Sequence, residues 1–183
     1  LEEALYSTKE TIVFTSATMT VDGAFSYFRQ RIGLNEHHEK LVEVSVPSPF
    51  DLTEQLLLCI PQDMPDPSDA AYNQAIIDAL GQICRVTEGG TLALFTARNR
   101  MIQAFEALED DLRSSDMTPL CQDVSGPRSA LLERLKADPR AVLFGLKSFW
   151  EGVDVPGRAL RCVVITKLPF AVPNDPIIQA RQE

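Results

Sequence analysis

With 183 residues, of which 45% are hydrophobic and 23% charged, the chain is long enough to bury a core and too balanced for a disordered or low-complexity protein. No apolar run reaches the roughly 20 residues that span a bilayer, and the opening LEEALYSTKE lacks the basic and apolar parts of a secretory leader; a soluble cytoplasmic protein without a membrane partner is expected. A formal net charge of -9 counts against an extended nucleic-acid surface, because phosphate contacts leave a basic footprint, although a few basic groups in a cleft suffice to hold a strand.

In chain order, the first apolar run is TIVFTSA at 11 to 17, followed by the shorter EVSV at 43 to 46 and by QLLLCI at 55 to 60. The proline-rich stretch from Pro61 to Pro67 predicts a loop that separates this N-terminal piece from the rest. Ala71, Ala75, Ile76, Ala79, Leu80, Ile83 and Val86 then recur at helical spacing, and Gly89-Gly90 ends that pattern. TLALFT at 91 to 96 reads as a buried strand, and Met101, Ile102, Phe105, Leu108 and Leu112 as the apolar stripe of a second helix. PLCQDV at 119 to 124 adds a short strand, AVLFGL at 141 to 146 and RCVVITKL at 161 to 168 two longer ones, and Asp175-Pro176 a helix start. Apolar strands alternating with helical patterns predict an α/β domain with a mostly parallel sheet flanked by helices. The final helix has barely begun at Glu183, which suggests a fragment of a longer protein.

Cys59, Cys84, Cys121 and Cys162 stand apart, without the close pairs of zinc or redox motifs, and read as buried free thiols. His37 and His38 lie in a polar stretch and read as a solvated loop; no metal site is expected. Gly145, Lys147 and Ser148 after a strand suggest a phosphate loop, but Leu146 separates glycine from lysine and Arg140 stands where the first glycine belongs. With no acidic run after a strand to hold magnesium either, the chain is not expected to bind ATP and magnesium unaided. The strongest local feature is SFWEGVDVPG at 148 to 157, between two strands. In an open α/β sheet such a loop lies at the carboxyl end of the strands, where ligands bind. Glu151 and Asp154 are spaced i and i+3, and Gly152 permits a tight turn between them. A plain surface loop with two solvated carboxylates is the alternative.

GLKSFWEGVDVPG followed by VVITKLPFAVPNDPIIQAR closely resembles motif V and its downstream strand in DinG/XPD-type (Rad3-like) superfamily 2 DNA helicases. FTSATMT at 14 to 20 resembles motif III of that family and LALFTARNRM at 92 to 101 its motif IV, so three motifs in family order cover most of the chain. The resemblance implies a motor of two RecA-like (P-loop NTPase-like) domains, with ATP in the cleft between them and single-stranded DNA across both. Residues 1 to 20 would then be the end of, or link from, the first domain, and 21 to 183 the second, ending before motif VI.

By the same resemblance Ser16 and Thr18 couple nucleotide state to the strand-binding surface, Thr96, Arg98, Lys147 and Ser148 contact DNA phosphates, and Glu151, Gly152 and Asp154 face the nucleotide, the two carboxylates serving catalysis. The family's phosphate-binding loop, its acidic magnesium motif and any iron-sulfur cysteines belong upstream, and its arginine finger downstream. The implied activity is therefore 5′ to 3′ translocation and unwinding by a complete protein, with the first RecA-like domain as partner and this chain inactive alone. A helicase-derived interaction module that docks proteins through its acidic surface is the rival reading, and a nucleotide kinase with a degenerate phosphate loop is a second.

Overall fold

A computed structural model describes residues 2 to 170. The helix start expected at Asp175-Pro176 lies outside them, as do the side chains of His37 and His38. The chain divides into two compact units, Leu1–Cys59 and Ile60–Glu183.

The N-terminal unit holds a π-helical turn (Glu2–Tyr6), helix α1 (Ser26–Ile32), a 3-10 turn (Asn35–Lys40) and the single turn α2 (Leu52–Gln55). Gly33 stops α1 in the left-handed conformation, φ 77°, and donates its amide back to the last turn. Asp51 caps α2 by accepting the Thr53 amide at 3.0 Å. The Tyr6 hydroxyl donates to the Ile32 carbonyl at 2.6 Å, and Phe14 meets Phe28 edge to face at 5.6 Å.

The strands expected at 11 to 17, 43 to 46 and 55 to 60 are absent. A strand exists only when a neighbour takes up its amides and carbonyls. Among the described residues of this unit the sole bridge is the isolated pair Val21 and Ala24. Val13, Val42, Val44, Val46, Leu57 and Leu58 are consequently exposed. These segments have the apolar composition of strands but no partner to pair with, so composition alone does not make them strands.

The larger unit carries the sheet. Helix α3 (Tyr72–Thr87) leads through the Glu88-Gly89-Gly90 turn to β1 (Thr91–Leu94), α4 (Arg98–Ser114), β2 (Thr118–Cys121), α5 (Arg128–Ala137), β3 (Ala141–Gly145) and β4 (Cys162–Ile165). The four strands run parallel in the order β2-β3-β1-β4. This is the expected α/β, RecA-like architecture. Gly89 has φ +90°, and a Cβ there would lie 2.4 Å from the Arg140 carbonyl carbon and oxygen, so only glycine fits where α3 turns into β1.

Residues alternating along the strands build two cores on opposite faces. On one face Ala93, Phe95, Cys121, Val142 and Phe144 pack against α3 and α4. Phe144 stacks on Phe95 at 6.2 Å and meets Phe105 of α4 edge to face at 5.7 Å. On the other face Leu92, Leu94, Leu120 and Leu143 pack against Leu131 and Leu135 of α5, with Phe149 closing the end. The buried stripe of α3 is Tyr72, Ile76, Ile77, Leu80 and Cys84; Val86, expected on it, faces solvent. Leu131 and Leu135 are one helical turn apart, yet no helix was expected between 124 and 141.

Candidate functional site

The β1–β3 register aligns Leu94 with Gly145, so Thr96 and Lys147 lie two residues past the same level. The β2–β3 register likewise aligns Cys121 with Phe144, which brings Gln122 and Asp123 to the same end. The chain leaves β1 toward β2 on one side, whereas it leaves β3 toward β4 on the other. Adjacent strands whose connections diverge open a crevice at their carboxyl ends, the usual ligand position in an open α/β sheet.

Thr96 and Arg98 are exposed there, Arg98 as the first residue of the 17-residue α4. Helix-start amides and a guanidinium both favour an anion. The Arg98 Nε donates to Asp123 Oδ2 at 3.2 Å, an exposed ion pair of modest strength. The Lys147 side chain is exposed and makes no hydrogen bond or ion pair among the described residues, while its carbonyl accepts the Trp150 amide at 3.2 Å. Ser148 donates its hydroxyl to Gln122 Oε1 at 3.2 Å, and the same oxygen accepts the Leu146 amide at 2.9 Å. Gln122 therefore ties the start of the loop after β3 to the end of β2.

That loop opens as a 3-10 turn (Lys147–Phe149). Phe149 is 1% exposed, and Trp150, Val153 and Val155 pack partly against the same core. The alternative positions Glu151, Gly152 and Asp154 face outward and are exposed. Neither carboxylate has a hydrogen bond or ion pair among the described residues. Gly152 sits at φ +66°, a left-handed conformation that glycine adopts without the strain of an L side chain, so it favours the turn. From α5, Arg128 reaches across to the loop: its Nε donates to the Ser148 carbonyl at 3.0 Å and one terminal nitrogen to the Glu151 and Gly152 carbonyls at 3.2 Å each.

Burial pushes the Cys121 thiol at the end of β2 up to about 12, with Asp123 adding to the rise. Cys84 on α3 is pushed up to about 12 by its own burial. Both are packing thiols, whereas Cys59, expected to be buried like them, is exposed in the N-terminal unit, where its strand is absent, and Cys162 is only half-buried.

Thr96, Arg98, Lys147 and Ser148 thus share one end of the sheet, with Glu151 and Gly152 tied to Ser148 through Arg128 and Asp154 further along the same loop. Ser16 and Thr18 belong to the N-terminal unit, where their hydroxyls lie 3.2 Å apart and the Thr18 amide donates to Ser16. Gln122, Asp123 and Arg128 were not singled out in the sequence. Gln122 and Asp123 lie within the strand expected over 119 to 124, which ends instead at Cys121, so they belong to the loop beyond it; Arg128 begins a helix that the sequence pattern does not signal.

The all-parallel α/β sheet, with polar loops gathered where the connections of its central strands part, has the form of a RecA-like domain. A family profile of the helicase C-terminal domain matches residues 80 to 183, and the chain belongs to that family. It is 30% identical over its whole length to the "3'-5' exonuclease DinG" of Bacillus subtilis, covering 20% of that protein. It is 33% identical over 93% of its length to the "ATP-dependent DNA helicase YoaA" of Haemophilus influenzae, and 33% identical over 95% to the "ATP-dependent helicase DinG" of Mycobacterium tuberculosis. In both cases it covers 26% of the relative. The chain thus spans about a quarter or less of these relatives. No solved structure matches it.

Proposed function

We propose that the chain supplies the second motor domain of an ATP-dependent DNA helicase that moves 5′ to 3′ along single-stranded DNA and unwinds duplex. The observation that carries this reading is the shared level of Thr96 and Lys147 past paired strands β1 and β3. It joins an anion-favouring helix start to a loop bearing two unpaired outward carboxylates. In this reading residues 1 to 20 link from the first RecA-like domain and 21 to 183 form the second. The protein acts in the cytoplasm; among the described residues no helix is long and apolar enough to cross a membrane.

Single-stranded DNA runs over Thr96, Arg98, Lys147 and Ser148, gripped by its phosphates, which suits a motor indifferent to base sequence. Arg98 exchanges its Asp123 partner for a phosphate, and Ser148 exchanges Gln122. ATP is the substrate, and its ribose or a basic group beside its phosphates meets Glu151 and Asp154. The open turn at Gly152, with exposed carboxylate oxygens that accept hydrogen bonds on either side, fits such a polar ligand. The triphosphate and magnesium are assigned elsewhere, because Leu146 separates Gly145 from Lys147 and the chain has no phosphate-binding loop of its own. Those are bound mainly by the first RecA-like domain of the same protein. An iron-sulfur cluster, where the complete protein holds one, lies outside this chain. Ser16 and Thr18 relay the nucleotide state to the DNA-binding surface.

The isolated chain is then expected to show no DNA-stimulated ATP hydrolysis, which a contaminant-free preparation tests. In the complete protein, Glu151→Ala or Asp154→Ala should lower ATP turnover on the order of 10²-fold, the cost of misplacing reacting groups. DNA affinity without nucleotide should stay within error. Lost DNA binding with normal ATP turnover would show that the loop faces the strand instead.

A further inference from the structure

The loop after β3 leaves its carbonyls without sheet or helix partners beyond the 3-10 turn, and such groups need donors. Arg128 supplies three of these contacts, to Ser148, Glu151 and Gly152, and its guanidinium carbon lies 5.4 Å from the centre of the Phe149 ring. Phe149 is fixed in turn: a Cβ on Gly145 would approach its side chain to 3.0 Å, so glycine leaves just the space the ring occupies. The guanidinium fork therefore bridges a buried anchor and the outward turn that carries Glu151.

The position of Arg128 argues that the contact is its purpose. It is the first residue of α5, following Pro127, and the first turn of that helix has no acidic residue. A cation at a helix N-terminus opposes the helix dipole, so Arg128 does not serve its own helix. It is exposed, so it does not fill the core either. A planar group with donors along two edges can satisfy carbonyls that diverge from one turn; a lysine ammonium offers one centre.

We propose that Arg128 is a positioning residue: it locks the Ser148–Gly152 turn so that the nucleotide-facing carboxylate of Glu151 is presented in one orientation. The proposal rests on the nucleotide-facing reading of this loop, and the assay separates the two. Hydrogen-deuterium exchange and steady-state ATP turnover would be compared in the complete protein and its Arg128→Ala, Arg128→Lys and Lys136→Ala variants, the last lying on the same helix away from the loop.

Loss of the clamp should speed exchange at the Phe149 and Trp150 amides about tenfold, leaving α3 and α4 unchanged. The KM for ATP should rise about five- to tenfold in both Arg128 variants, while all Lys136→Ala readouts stay unchanged. Lysine should restore little, because it keeps the charge and loses the fork. Unchanged exchange in Arg128→Ala, or full rescue by lysine, overturns the clamp whatever the loop binds. Faster exchange with unaltered ATP kinetics overturns the positioning role alone if Glu151→Ala still impairs turnover. If Glu151→Ala is also silent, the nucleotide reading itself fails and the proposal falls with it.

Discussion

The two halves of the site lie at the same level of adjacent strands but are held in place by different means. Past β1 the chain enters α4 within four residues, so Arg98 is fixed by a long helix whose Met101, Phe105 and Leu108 are buried. Past β3 it remains irregular through Pro156, apart from one 3-10 turn, and depends on Phe149, Gln122 and Arg128 for its shape. The first half is therefore rigid through backbone geometry and the second through side chains. Substitutions that leave the first intact should still disorder the second, and this difference suits a fixed DNA contact at Arg98 beside a loop that couples its own DNA contacts, Lys147 and Ser148, to the nucleotide-facing turn.

The largest effect that would sharpen this contrast comes from Gly145→Ala. The added methyl meets Phe149 at 3.0 Å, where the ring is boxed into the core. Overpacking of this kind costs about 1 to 3 kcal/mol, so thermal unfolding should shift down by several degrees. Alanine at Ala97's neighbour Thr96, with its exposed side chain, should change stability by less than about 0.5 kcal/mol. Equal shifts for Gly145→Ala and Thr96→Ala would erase the distinction between the two halves.

A smaller effect is expected at Asp123, whose ion pair with Arg98 competes with phosphate. Exposed pairs are worth about 0.2 to 1 kcal/mol, so Asp123→Ala should raise single-stranded DNA affinity about 1.5- to fivefold. Weaker binding in a fluorescence-anisotropy titration would mean that Asp123 orients Arg98 and does not compete for it.

The smallest concerns the thiols. Cys59 is exposed, whereas Cys84 and Cys121 are buried and pushed up to about 12 from 9.0. Iodoacetamide should modify Cys59 in the native protein and spare the other two. Because their folded values are raised, their contribution to stability is complete below about pH 9 and is lost as pH rises from there toward about 12. A denaturation midpoint that does not fall across this window would contradict the burial of both groups.

What the sequence made legible follows from where information about pairing resides. Leu92, Leu94, Leu143 and Phe144 form unbroken apolar runs because both faces of their strands are covered, and such runs are visible without a fold. Val42, Val44 and Val46 have the composition of a strand too, but a strand's existence depends on a partner that composition does not name. Helix α5 escaped notice because only Leu131 and Leu135 of its ten residues are buried, leaving too faint a stripe. The carboxylates at 151 and 154 stood out through the i, i+3 spacing around Gly152. Arg128 could not, since its three acceptors are 20 to 24 residues away and are backbone atoms, which carry no sequence signature.

The central claim is that the ends of β1 and β3 grip DNA by its phosphates in spite of a net charge of -9. The most direct test is the salt dependence of single-stranded DNA binding by the complete protein and its Arg98→Ala and Lys147→Ala variants. Each lost phosphate contact should reduce the slope of log K against log salt by about 0.7, by a similar amount for every base sequence. An unchanged slope in both variants, with affinity also unchanged, would contradict the claim and leave both residues as solvated surface charges.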